Sequence, residues 1–173
     1  CRTKTPTSHE EEIKQLRPWV KKKKAWAQNL MGQHYQHGEG VKQSYEMARM
    51  LYELAAQQGD VLGSMFNLGL MCYGGLGVEQ SYEKAFEYYE QVAHLGHAKA
   101  QYFLGNMYNI GQGVEQDCEQ AAEFFAKSAA LGFAEAQYGL GRLYAIGNGV
   151  VKDYAKAKVL FSKAAAQGHK LAI

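Results

Sequence analysis

Between residues 98 and 133 the apolar side chains fall at helical spacing. Ala100, Leu104, Met107 and Tyr108 follow an i, i+4, i+7, i+8 pattern, the stripe of an amphipathic helix. After a glycine-rich break, Ala121, Ala122, Phe125 and Ala129 draw a second stripe. The element Ala-Gln-x-x-Leu-Gly-x-x-Tyr at Ala100, Gln101, Leu104, Gly105 and Tyr108 returns 36 residues later as Ala136, Gln137, Leu140, Gly141 and Tyr144. Two looser copies precede it: Ala27, Gln28, Met31, Gly32, Tyr35, and Ser64, Leu68, Gly69 with Cys72 at the Tyr position. Each copy runs into Gly-x-Gly-Val, starting at Gly38, Gly75, Gly111 and Gly147, and each unit closes on Ala-x-x-Gly, at Gly59, Gly96, Gly132 and Gly168. The first step is 37 residues because one residue is inserted between Gly59 and Ser64.

Each unit therefore reads as two helices. Ser44, Ser81, Asp117 and Asp153 stand where a short side-chain oxygen caps the second helix. Glycine at both helix ends permits the left-handed closing conformation. Gly69, Gly105 and Gly141, with Ala85, Ala121 and Ala157, are expected to mark close approach of helix backbones. A single helix pair cannot bury its apolar face, so the units must stack. The expected fold is all-α, an α-solenoid of stacked helix-turn-helix repeats akin to tetratricopeptide arrays. Its four repeats cover 25–60, 61–97, 98–133 and 134–169, with an N-terminal capping helix over 8–24. Residues 170–173 would open a truncated further repeat, since Ala172 falls where the next Ala-Gln would begin; an uncapped end would favour self-association.

In the leader, Ser8-His9-Glu10-Glu11 has capping-box spacing and predicts a helix start near His9. Ile13, Leu16 and Val20 share a face that would cover the first repeat, while Pro18 predicts a kink or break. Charge is concentrated here. Residues 1–24 carry eight Lys or Arg against three Glu, whereas the remainder carries eleven basic and fourteen acidic side chains. The total of +2 gives no nucleic-acid or membrane bias, and no apolar run is long enough to span a bilayer. Lys21 to Lys24 reads as a solvated helix end, or alternatively as a nuclear localisation signal. Three cysteines without a repeating spacing argue against a disulfide framework and for a reducing compartment, so an intracellular, cytoplasmic or nuclear, setting is expected.

The repeated pattern Ala-x-Ala-Gln-x-x-Leu-Gly-x-x-Tyr-x-x-Gly-x-Gly-Val-x-x-Asp, followed by Ala-Ala-x-x-Gly, resembles the Sel-one-like repeat, a relative of the tetratricopeptide repeat, over residues 25–168. Ser44, Ser81 and Cys72 depart from it. The resemblance implies a non-catalytic scaffold or adaptor that binds a protein or an extended peptide. Cys1-Arg2, leading through residues 1–7 into the repeats, also resembles the junction at which a RING-type zinc finger ends in Cys-Pro-x-Cys-Arg. On that reading Cys1 is the last thiolate of a zinc site whose other ligands lie upstream, and the repeats are the substrate arm of a ubiquitin ligase that engages a ubiquitin-conjugating enzyme. On the other reading Cys1 is incidental.

Within this segment no cofactor is expected and no acid, base and nucleophile converge. Gly111-Gln112-Gly113 and its counterparts lack the preceding strand and Lys of a phosphate loop and read as turns. His34 and His37 lack a third ligand and read as surface histidines. Cys72 reads as a core thiol, and Cys118, just after an N-cap, lacks a local base. Some relatives carry a disulfide in each repeat and are linked to β-lactam handling, but here the cysteines do not recur and no Ser-x-x-Lys is present.

If first helices line the concave face as in tetratricopeptide arrays, their outward positions give the candidate binding residues. One register holds Asn29, Phe66, Tyr102 and Tyr138, and the position four later holds Gln33, Leu70, Asn106 and Arg142. A third set is Trp26, Tyr73 and Asn109. Aromatics supply contact area and amides bond to a peptide backbone. The same aromatic row also suits packing between repeats, in which case Tyr102→Ala with Tyr138→Ala would cost folding and not only partner binding.

Overall fold

The computed structural model describes residues 8–170, which contain α-helices and no strand. Cys1, with residues 1–7, and Ala172, with residues 171–173, lie outside the described residues. The helices are α1 (His9–Lys21), α2 (Ala25–His37), α3 (Tyr45–Gln57), α4 (Val61–Gly74), α5 (Tyr82–Ala93), α6 (Ala98–Ile110), α7 (Cys118–Ala130), α8 (Ala134–Ile146) and α9 (Tyr154–Ala166). The class is the α-solenoid of helical repeats. The described residues form two compact units, divided between Ser81 and Tyr82.

In the first unit, α1 packs on α2, α2 on α3 and α3 on α4. Ile13 and Leu16 of α1 join Ala27, Met31 and Leu51 in one core, flanked by Val20, Tyr35 and Val41. Pro18 does not break α1, which runs unbroken to Lys21. Proline at that point forgoes one backbone bond, and the burial of Ile13 and Leu16 holds the helix together around it. The Ser8 side chain makes no cap bond; its carbonyl instead accepts from the Glu11 and Glu12 amides. The exposed Lys21–Lys24 run ends α1 and makes the turn to α2, with Lys23 left-handed at φ 54° and Lys22 Nζ 5.2 Å from the centre of the Trp19 ring.

In the second unit, α5 to α9 pack each on the next. Its core joins Ala121, Ala122 and Phe125 of α7 to Ala136, Leu140 and Leu143 of α8. The recurring glutamine of the first helix is buried and ties helix to helix. Gln101 Nε2 donates to the Ala93 carbonyl at 3.0 Å, and Gln137 accepts from Gln167 Nε2 at 2.9 Å. In the first unit Gln28 accepts from Gln58 Nε2 at 2.7 Å. Each such bond satisfies a buried polar group that would otherwise be costly.

The glycines of the first helices have a different reason from the one expected. A Cβ on Gly105 would sit 2.7 Å from Phe125 Cδ1, one on Gly141 2.8 Å from Phe161 Cε1, and one on Gly32 2.6 Å from Tyr52 Cε1. What the missing side chain admits is an aromatic ring from the second helix. The ring stands four residues beyond the small residue of that helix, at Tyr52, Phe125 and Phe161 after Ala48, Ala121 and Ala157.

The turn between the two helices of a repeat is built the same way each time. Gly111 closes α6 in the left-handed region at φ 68°. Gly113 follows at φ 73°, where a Cβ would meet the Tyr82 backbone carbon at 2.6 Å. The second glycine of the motif thus lies against the start of an earlier second helix: Gly113 on α5, Gly77 on Tyr45 of α3, and Gly149 on Cys118 of α7. Gly40 meets His9, the first residue of α1, in the same manner. The following segment closes with the N–H of Asp117 donating to the Tyr108 carbonyl at 2.9 Å, after which Asp117 accepts from the Glu119 and Gln120 amides. Ser44 and Asp153 cap α3 and α9 through the Met47 and Lys156 amides.

Candidate functional site

The predicted binding residues do not share one environment. Phe66 is 8% exposed and belongs to the core of the first unit. Tyr102 and Tyr138 are half-buried and held by rings: Tyr102 lies 5.3 Å from Phe133 and 5.7 Å from Phe103, and Tyr138 stacks on His169 at 4.6 Å with Phe161 at 5.5 Å. Asn29 is also engaged inside the protein. Its side-chain amide donates to the Asp60 carboxylate, and its oxygen accepts from Asn67 Nδ2 at 3.1 Å. Leu70 and Tyr73 are half-buried on α4.

The remaining predicted residues gather at two places, one in each unit. In the second unit, Asn106 and Asn109 of α6 and Arg142 of α8 line a cleft of about 220 Å³ together with Asn148, Phe125, Leu143 and Ile146. Arg142 is exposed, and among the described residues no carboxylate pairs with it. Three amides and a guanidinium over an apolar floor form a surface with hydrogen-bond donors and acceptors for a peptide and one positive charge for an anion. Asn148 escaped the sequence reading because it is the variable residue of a Gly-x-Gly turn and carries no periodic signal.

In the first unit, Trp26 and Gln33 of α2 line a groove of about 360 Å³ with Trp19, Leu30, His9, Glu12, His34 and Glu39. Trp19 and Trp26, 43% and 53% exposed, tilt against each other at 5.9 Å. His34 is 4% exposed and not a surface histidine. Its Nδ1 lies 3.0 Å from the Glu39 carbonyl, to which it donates, while His37 is exposed and stands apart. His34 stands instead beside His9, whose ring centre is 5.8 Å away. The signal was present in the register, since His9 falls 36 residues before Tyr45 and should lie on Gly40 as Tyr45 lies on Gly77. Cys72 is buried and Cys118 half-buried.

Comparison with known proteins agrees with the fold. The profile of the Sel1 repeat matches residues 27–60, 63–97, 98–133 and 134–169, so the chain belongs to the Sel1 repeat family. Members of this family are generally protein-interaction scaffolds and typically non-catalytic. Among solved structures, c5321, a protective antigen of uropathogenic Escherichia coli with an SLR fold, is 35% identical with a TM-score of 0.84, over 95% of this chain and 35% of that one. A Sel1 repeat protein from Oxalobacter formigenes is 30% identical with a TM-score of 0.89, over 95% of this chain and 67% of that one. Helicobacter pylori cysteine rich protein B is 28% identical over 72% of this chain and 93% of that one, with a TM-score of 0.56. The chain thus spans about a third of the length of the first of these. No curated protein matches the chain. Among the described residues no helix is long and apolar enough to cross a membrane.

Proposed function

We propose that the chain is a non-catalytic scaffold whose second unit binds an extended, carboxylate-bearing peptide in the cleft of Asn106, Asn109, Arg142 and Asn148. The observation that carries this reading is Arg142: an exposed guanidinium, without a carboxylate partner among the described residues, set beside three amides. An Arg–carboxylate contact is among the stronger polar interactions, and the amides suit a peptide backbone. A display library of extended peptides panned on the full chain tests it. Enriched sequences should carry Asp or Glu at a fixed position and lose tenfold or more in affinity for Arg142→Gln, with helicity unchanged. Equal binding to wild type, Arg142→Gln and Asn106→Ala would refute the assignment.

The sequence junction at Cys1-Arg2 supports a second reading, in which the repeats are the substrate arm of a RING-type ubiquitin ligase with a zinc domain upstream and a ubiquitin-conjugating enzyme as partner. Ubiquitin transfer by the natural full-length protein, lost on chelation of zinc, would support it; a sequence upstream of Cys1 without paired cysteines and histidines would refute it. Three cysteines without a repeating spacing favour a reducing location, cytoplasmic or nuclear.

A further inference from the structure

We propose that the first unit holds a binding site for one divalent transition-metal ion of the zinc class, built from His9, Glu12, His34 and Glu39. Three separate pieces of backbone converge there: the first turn of α1, the last turn of α2 and the turn that follows α2. Ligand-capable atoms of His9, His34 and Glu39 all lie within 4.8 Å of one another. Glu12 Oε2 lies 3.3 Å from His9 Nδ1 and 3.8 Å from His34 Nε2, and Glu39 Oε2 lies 4.0 Å from His9 Nδ1. Zinc bonds of about 2.0–2.1 Å to nitrogen and oxygen place tetrahedral ligands roughly 3.3 Å apart. The first separation is already there; Glu12 closes on His34 Nε2 by a side-chain torsion, and Glu39 Oε2, now 4.0 Å from His34 Nδ1, has to swing toward the Nε2 edge of the ring.

His34 is oriented as a metal ligand would be. Metal-bound imidazoles usually donate the nitrogen not facing the ion to a carbonyl or carboxylate, which fixes the tautomer. His34 makes such a bond. Its Nδ1–H goes to the Glu39 carbonyl, which turns Nε2, the edge a metal would take, toward Glu12 Oε2 at 3.8 Å. Burial of the ring fixes its direction, with the side chain 5% exposed, while His9 at 58% and Glu12 at 44% keep the site open to solvent. Two imidazoles with two carboxylates select zinc, nickel or copper over magnesium or calcium, which prefer oxygen donors throughout.

The ion would fasten the start of α1 to α2 and the turn beyond it, at the place where Gly40 already meets the His9 backbone. This site lies in the first unit and is independent of the peptide cleft proposed for the second.

The test is a titration of the chelator-stripped full chain with Zn²⁺ by calorimetry and with Co²⁺ by visible absorption. One ion per chain is expected, with Co²⁺ d–d bands of nitrogen and oxygen ligation and no thiolate charge-transfer band. His9→Ala and Glu12→Gln should each weaken binding tenfold or more, whereas His37→Ala should leave it unchanged. His9 and His37 are exposed and Glu12 is half-buried, so circular dichroism should show every variant folded. Absence of saturable one-to-one binding, equal affinity in the His9 and Glu12 variants, or a thiolate band pointing to cysteine would each overturn the proposal.

Discussion

Replacing Gly105 by alanine sets two opposing effects against each other in one helix. Alanine is the better helix former by about 1 kcal/mol, so the exchange should stabilise α6 if nothing else touched the site. The added methyl would stand 2.7 and 2.8 Å from Phe125 Cδ1 and Cε1. Phe125 is 2% exposed, and its far edge is closed by α8, where a Cβ on Gly139 would lie 3.3 Å from Phe125 Cζ. The ring is wedged between glycines of two helices and cannot withdraw. Overpacking of that kind costs about 1–3 kcal/mol, so the net expectation is a loss of about 1 kcal/mol. In a chain of this size that lowers the melting temperature by about 2–4 °C. Gly141→Ala is the internal comparison, since the ring it meets, Phe161, is half-buried and free to shift, and its net effect should be near zero. Thermal and urea unfolding by circular dichroism, with Phe125→Leu and the double variant, completes a cycle. The double variant should be less damaged than the sum of the singles by about 0.5 kcal/mol or more. A stabilising Gly105→Ala with no coupling to Phe125 would refute the reasoning.

Two further expectations rest on other contacts. Tyr102→Ala with Tyr138→Ala removes the ring contacts to Phe133, Phe103, Phe161 and His169, and should lower stability by about 1–3 kcal/mol; an unchanged melting temperature would show that these rings are free for a partner. His97 caps α6 by accepting the Ala100 amide at Nδ1, and burial, then the charge of Lys99, lowers its pKa below the usual 6.5. The unfolded chain therefore binds that proton first, so stability falls as pH drops through the unfolded pKa toward the folded one. His97→Asn, which keeps an accepting oxygen, should flatten stability against pH in that window, and an unaltered profile would exclude His97 as its source.

The repeat count, the helix pairs and the caps at Ser44, Asp117 and Asp153 were legible in the sequence because they are local. Apolar spacing, a short oxygen before a helix and a glycine after it act within a few residues, and four copies in register leave little room for another fold. The second glycine of each Gly-x-Gly was visible as a motif, but its reason, the backbone of an earlier helix pressed against it, was not. Side chains that meet across helices were harder to read. Outward positions of the first helices were assigned by register alone, and packing then enclosed Phe66, engaged Asn29 with Asp60 and Asn67, and gathered Asn106, Asn109 and Arg142 with Asn148. His9 and His34 stand 25 residues apart and belong to different helices, so no spacing within one helix joins them. Tertiary structure brought them together with Glu12 and Glu39. Periodicity states which face of a helix is buried; only packing decides which residue of a neighbouring helix it is buried against, since that depends on side-chain volumes and on which turns press together.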